Sequence, residues 1–143
     1  MIRIICGGKK TSGWALEAVS EYEKRLVAPF KARWEFYEEE KLAQFLERWP
    51  FSGNDFVVVA DERGENLSSV ELAQKLEQQF NHSRNIVIII GGAYGVGKEA
   101  RVRADLVWSF SRLVFPHMLF RVMMIEQIYR AQEINRGGKY HHL

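Results

Sequence analysis

Two stretches of this chain carry residue types whose spacing suggests chemistry. The first is Gly91-Gly92-Ala93-Tyr94-Gly95-Val96-Gly97-Lys98-Glu99, which follows the apolar run at 86–90. From Gly92 it matches the phosphate loop G-x-x-x-x-G-K, but Glu99 stands where magnesium ligation needs a hydroxyl. From Gly95 through Ala100 it also satisfies G-x-G-x-x-A. There the first glycine does not directly follow the strand, and no acidic residue stands about 20 residues on in a matching unit. A third reading is conformational: glycines let a strand turn sharply into a helix. Common to all three is a close approach of backbone, to a ligand or to another chain segment.

The second stretch is the C-terminal third. His117 follows Pro116 at the start of a helix, where the helix dipole favours a neutral imidazole able to accept a proton or a hydrogen bond. The competing role is to fix the preceding loop. Arg121 lies four residues on, along the same helix face, where it can hold a phosphate or an oxyanion, or make an intersubunit salt bridge. Tyr140-His141 follows Gly137-Gly138, beside Arg136 and Lys139. Such a tail is either a frayed terminus or an aromatic and cationic contact for RNA.

These residues need a frame, and the sequence supplies one. Its 143 residues, 47% apolar and 27% charged, suit one packed domain spanning 1–143 rather than disorder. A single cysteine forms no internal bridge or Cys-rich zinc site, so no metal is expected. No apolar run approaches the ~20 residues that span a bilayer, and no secretory leader opens the chain. The expectation is a cytoplasmic protein without a membrane partner. From 101 onward seven Lys/Arg face three Asp/Glu, leaving +4 there and −2 in the first hundred residues. A basic third on a near-neutral chain suits a polyanion met on one face, or a solvated helix face.

Strands are expected at 2–6, 34–37, 56–60, 86–90 and 106–110. Helices are expected from a Ser12 cap to about 26, at 41–49, from 67–69 to about 80, at 98–104 and from 116 to about 134. Strands alternating with helices, and apolar on both faces, mean an α/β domain with a largely parallel sheet. Cys6 reads as core, His82 as a solvated loop residue and Trp108 as core or interface. The last helix is apolar on more than one side, with Met118, Leu119, Val122, Met123, Met124, Ile125, Ile128 and Tyr129. Such an excess needs a second surface, and a homodimer fits it better than burial in one core.

From Ile89-Ile90-Gly91-Gly92-Ala93-Tyr94-Gly95 onward the chain resembles a known family. The resemblance rests on Ser109-Phe110-Ser111-Arg112-Leu113-Val114-Phe115-Pro116-His117-Met118-Leu119-Phe120-Arg121-Val122, on Glu126-Gln127-Ile128-Tyr129-Arg130-Ala131 and on the terminal Tyr140-His141. Glu21-Tyr22-Glu23-Lys24-Arg25-Leu26 is also similar, so nearly the whole chain is covered. The family is RlmH, SPOUT-class methyltransferases acting on N3 of a pseudouridine in large-subunit ribosomal RNA. The resemblance implies a C-terminal trefoil knot and an obligate homodimer; with it, the small net charge of +2 leads to the expectation of action on RNA within the assembled ribosome. The resemblance also implies an S-adenosylmethionine site built from Ala60, Gly91, Gly92 and the loop Phe110, Ser111, Arg112, Leu113, Val114 and Phe115. His117, Arg121, Tyr140 and His141 are then the catalytic candidates.

The chain departs from the family pattern at Ala60, where leucine is commoner, and at Arg112-Leu113-Val114. It also differs in the His141-His142-Leu143 tail and in a short segment between the second and third strands. Two other classes stay open on the residues alone: a phosphate-loop nucleotide binder, and a non-catalytic ribosome assembly or RNA-binding factor on the same fold.

Overall fold

The computed structural model describes residues 1–142. Strands and helices alternate: β1 (Ile2–Gly7), α1 (Gly13–Glu23), β2 (Ala32–Tyr37), α2 (Glu39–Arg48), β3 (Asp55–Asn66), α3 (Ser69–Asn81), β4 (Asn85–Ile90), α4 (Lys98–Arg103), β5 (Leu106–Ser109) and α5 (His117–Asn135). The strands form one sheet in the order β2-β1-β4-β3-β5, with every pairing parallel. This is the expected α/β architecture.

The central strands explain their own composition. Ile2, Ile4, Ile5 and Cys6 of β1 and Ile86, Val87 and Ile89 of β4 are wholly inaccessible to water. Both sheet faces are covered, so these strands show no polar alternation. One core packs β1, β4 and β3 side chains against α1, α3 and α5, through Val19, Leu72, Leu76, Ile125 and Ile128. The opposite core sets Ile5, Val57, Val59 and Ile89 against Leu42 and Leu46 of α2 and Ala100 of α4. Each fully buried isoleucine or leucine contributes about 1.5–3 kcal/mol relative to exposure. Burial drives the Cys6 thiol up to about 12, the behaviour of a core residue.

Helix starts follow local chemistry to different degrees. α3 opens with a complete capping box: the Ser68 hydroxyl accepts from the Glu71 amide at 3.0 Å, and the Glu71 carboxylate accepts from the Ser68 amide at 3.3 Å. Ser12 occupies the cap position of α1, yet its side chain makes no capping bond. That helix stops at Glu23 rather than near Leu26, which is buried in the turn that follows.

The third strand differs most from expectation. Its pairing with β5 runs through Ala60↔Trp108, then resumes at Glu65↔Trp108 and Asn66↔Ser109. Asp61, Glu62, Arg63 and Gly64 are therefore extruded as a wide bulge between two segments of one strand. At Gly64 a β-carbon would lie 2.5 Å from the Val107 carbonyl oxygen, so the return over β5 needs a glycine.

α5 packs between α1 and α3. The core of the same chain takes Met124, Ile125, Ile128 and Ala131 completely. Gln132 is buried and satisfied, accepting from the Val27 amide at 2.8 Å and donating to the Arg25 carbonyl at 2.9 Å. Leu119 remains exposed, and Met118, Val122 and Met123 are half-buried.

Candidate active site at the C-terminal edge of the sheet

In parallel sheets the crevice beyond the carboxyl ends of the strands is where ligands bind. Here that crevice is a cleft of about 330 Å³ over the ends of β3, β4 and β5. Its floor is Ala60, Ile90, Gly91 and Gly92, one wall is the β3 bulge, and the other is the segment from Phe110 to His117. Of the residues expected at the cofactor, Ala60, Gly91, Gly92, Phe110, Ser111, Leu113, Val114 and Phe115 all line it. Arg112 does not; its side chain is exposed at the tip of the loop.

The glycine turn is held from two directions. Gly92 and Gly95 form an isolated bridge, with the Gly95 amide donating to the Gly92 carbonyl at 3.0 Å. A Glu39 carboxylate oxygen accepts from the Ala93 amide. A β-carbon at Gly91 would come within 2.5 Å of the Gly95 backbone. Gly91 is therefore required by the turn itself, before any ligand arrives. The phosphate-loop reading fails for a related reason: Glu39 occupies one backbone donor, and Glu99 sits in the first turn of α4. A phosphate there would meet two carboxylates.

The facing loop is ordered by short polar links and aromatic packing. The Ser109 hydroxyl donates to the Ser111 carbonyl at 2.9 Å, and the Leu113 amide donates to the Ser111 hydroxyl at 3.0 Å. Phe110 lies 4.6 Å from both Trp108 and Phe120, centroid to centroid. Leu113 and Val114 stay 69% and 79% exposed, an apolar rim unusual for a free surface.

The bulge supplies residues that the sequence reading did not assign to the cofactor site; Asp61 had only the look of an acidic strand end, lying upstream of the glycine loop rather than after it. Asp61 faces Arg63 and Arg101 guanidinium groups, each at 3.7 Å, and Glu62 is exposed beside it. Tyr94, 91% exposed, stands at the mouth. Apolar and aromatic walls, close-approaching glycine backbone and a few carboxylates fit a nucleoside with polar substituents such as S-adenosylmethionine. Among the described residues no group of three or more His, Cys, Asp or Glu could hold a metal ion, and no helix is long and apolar enough to cross a membrane.

The four catalytic candidates are not brought together within one chain. His117 lines the cleft, exposed at the first turn of α5. Arg121 turns away from it and is buried. Its guanidinium donates to the Lys9 carbonyl at 2.7 Å, the Thr11 hydroxyl at 3.2 Å and the Gly7 carbonyl at 3.5 Å. Among the described residues it is thus neither presented to a phosphate nor paired with a carboxylate.

Tyr140 and His141 lie against the far half of α5. The Tyr140 hydroxyl donates to Glu126 at 3.1 Å, and its ring packs edge-on to Tyr129 at 4.8 Å. Arg130 donates to the same Glu126 oxygen at 2.6 Å and approaches His141 Nδ1 at 3.0 Å. A guanidinium can only donate, so Nδ1 accepts in that contact. The tail is therefore docked on its own helix rather than frayed, except that Leu143 lies outside the described residues.

A family model described as "Predicted SPOUT methyltransferase" matches residues 1–141. Curated relatives that carry the name ribosomal RNA large subunit methyltransferase H align over nearly the full length of this chain. The one from Caldicellulosiruptor bescii is 39% identical, with 99% of each chain aligned. The one from Thioalkalivibrio sulfidiphilus is 36% identical over 98% of this chain and 97% of its own. Among solved structures, a probable methylase family protein from Haemophilus influenzae superposes with TM-score 0.61 at 13% identity, over 99% of this chain and 70% of that one. The SpoU methyltransferase AviRb from Streptomyces viridochromogenes, solved with AdoMet, gives 0.50 at 12% identity, over 96% and 58%.

Proposed function

The chain belongs to the SPOUT methyltransferase family, among the ribosomal RNA large subunit methyltransferases H, and we propose that it methylates N3 of a pseudouridine in large-subunit ribosomal RNA within the assembled ribosome. The observation that carries this reading is the cleft at the carboxyl ends of β3, β4 and β5. Its lining contains every expected cofactor residue except Arg112. The place of action is then the cytoplasm.

S-adenosylmethionine would supply a methyl group already activated as a sulfonium, so no metal and no covalent nucleophile is needed. Ala60, Gly91, Gly92 and the loop Phe110, Ser111, Leu113, Val114 and Phe115 would hold it. Phe110, Phe115 and Phe120 line the cleft, where they would exclude water around a bound cofactor. For that methyl group to be accepted, N3 of the target base would have to give up its proton to a group of the protein or to water. We assign to His117, which lines the cleft, the role of taking that proton or of hydrogen-bonding the developing ring anion.

We read the enzyme as a homodimer whose C-terminal segment is knotted. Leu119, the half-buried Met118, Val122 and Met123, and the exposed Leu113 and Val114 are the surface a second copy would cover. The separation of Tyr140 and His141 from the cleft of their own chain favours a site completed by the partner's tail. The net charge of +2 gives little non-specific phosphate affinity, which favours a folded ribosome surface over free RNA.

The deciding experiment is a methylation assay with large subunits, whole ribosomes and naked RNA, read by mass spectrometry of nucleosides. N3-methylated pseudouridine from ribosomes, and little from naked RNA, is expected. Cofactor binding without methylation of any ribosomal substrate would leave a non-catalytic assembly factor instead. Magnesium-dependent ATP binding without cofactor binding would overturn the reading altogether.

A further inference from the structure

Arg121 is 2% exposed; among the described residues no carboxylate lies within 4.0 Å of it, and its Nε has no hydrogen-bond partner. A buried cation without a counter-ion is costly, so the contacts it does make should matter. All but one of these hydrogen bonds reach the end of β1 or the loop between β1 and α1. They are the carbonyls of Gly7 and Lys9 and the hydroxyl of Thr11, with the thioether of Met118 as the exception. The ring of Phe36 lies beneath the guanidinium, 5.1 Å from its centre. The fork therefore fixes a loop that is otherwise easy to deform, since Gly8 has φ +110° and Gly13 has φ +59°.

What the clamp presents is the pair Lys9 and Lys10. Both are exposed, and neither is in an ion pair among the described residues. Their position is tied to the cleft. Gly7 abuts Gly92 so closely that a β-carbon there would lie 2.8 Å from the Gly92 amide nitrogen. Lys9 is two residues beyond Gly7, at most about 7 Å along the chain. On the other side of the cleft, three strand spacings from β1 or about 14 Å, Arg112 is the exposed tip of the loop after β5. Cations with no ion pair among the described residues are thus within reach of both flanks of a cleft whose own wall carries Asp61 and Glu62.

We infer that Lys9 and Lys10 bind the RNA backbone phosphates flanking the target nucleotide, and that Arg121 is the positioning residue that holds them beside the cofactor cleft. Phosphate contacts of this kind set register and orientation without reading sequence. Spacing left Arg121 open to a phosphate, an oxyanion or an intersubunit salt bridge. The burial of its side chain moves the phosphate role to the loop it clamps. The inference rests on the RNA-methyltransferase reading, but it makes its own demands on salt dependence.

The test uses the full-length protein with whole ribosomes at fixed magnesium. Binding and methylation are measured over a range of potassium concentrations. Lys9→Ala/Lys10→Ala should raise KM and the dissociation constant for ribosomes about ten-fold, with the loss falling on KM rather than kcat. It should lower the slope of log affinity against log salt by about 1.5 to 2, and Lys9→Arg/Lys10→Arg should restore both. Arg121→Met should raise KM with both lysines intact. Because the lysines are exposed, their variants fold even if Arg121→Met does not.

An unchanged KM and salt slope in the double alanine variant of an active enzyme would overturn this inference while leaving the methyltransferase reading in place. Lysine-dependent ribosome binding without methylation by the unaltered protein would do the reverse. Absence of both binding and methylation would overturn both.

Discussion

The two halves of α5 handle their polar groups in opposite ways. Toward its start, Arg121 is buried, has no carboxylate partner among the described residues and directs its donors at a distant loop, while His117 faces the cleft. Toward its end, Arg130 is paired with Glu126 four residues earlier, and the tail folds back onto that pair through Tyr140 and His141. His117 and Glu126 are nine residues apart, or about 13 Å along the helix axis. One half organises the cleft and the other organises the tail. A single chain keeps them apart, so a complete site must either draw its tail from a second copy or do without the tail.

The largest effects should come from breaking one half at a time. Gly91→Val drives a side chain into the Gly95 backbone, so the turn must move. Cofactor affinity should fall by on the order of 100-fold, about 2.7 kcal/mol, in calorimetry. Because the clash lies within the loop, some loss of thermal stability should accompany it, and circular dichroism reads that separately. Deleting residues 140–143 should leave cofactor affinity untouched but abolish methylation. Mixed dimers of the two variants should regain activity, since one pocket then has an intact turn and an intact tail. No recovery in purified heterodimers would show that the halves of α5 do not cooperate across subunits.

A smaller but sharper effect is expected at His117. Replacement by alanine removes the imidazole from the mouth of the cleft and leaves its aromatic walls in place. kcat should drop by roughly 100-fold or more if the imidazole handles the N3 proton. The cofactor dissociation constant should stay within about two-fold. A loss in cofactor affinity with unchanged kcat would instead make His117 a support for the loop that precedes it.

The same contrast marks what could be read from the sequence. Where packing decides, the chain announces its structure: β4 is an unbroken apolar run buried on both faces, and α3 carries its cap in Ser68 and Glu71. The floor of the cleft and its aromatic loop were also legible, because glycines and a family pattern marked them. The β3 bulge was not. Asp61-Glu62-Arg63-Gly64-Glu65-Asn66 reads as a polar loop, and only pairing with β5 some 40 residues later turns its end back into strand. Arg121 was placed outward by helical spacing. Its burial depends on acceptors more than 100 residues away, Lys9 and Thr11, which no local period encodes. Glu39 at the glycine turn gave no signal for the same reason.

The smallest expected effect probes the tail alone, through pH. Burial, together with hydrogen bonds to Tyr22 and Glu126 and the negative charge of Glu126, raises the Tyr140 hydroxyl above its ordinary value of 10.0. In the unfolded chain the same hydroxyl titrates near 10, so above that pH the unfolded state releases a proton that the docked state retains. Linkage then requires stability to fall as pH rises beyond about 10, while below it the group contributes no pH dependence. The difference in phenolate absorbance between the unaltered protein and Tyr140→Phe should show a midpoint clearly above 10. Glu126→Gln removes the nearby negative charge and should bring that midpoint down. Across pH 6–9 neither variant should alter cofactor affinity, because the cleft lies at the other half of α5. A midpoint at or below 10 would mean that the tail is solvated rather than docked, and the contrast between the two halves of the helix would lose its second member.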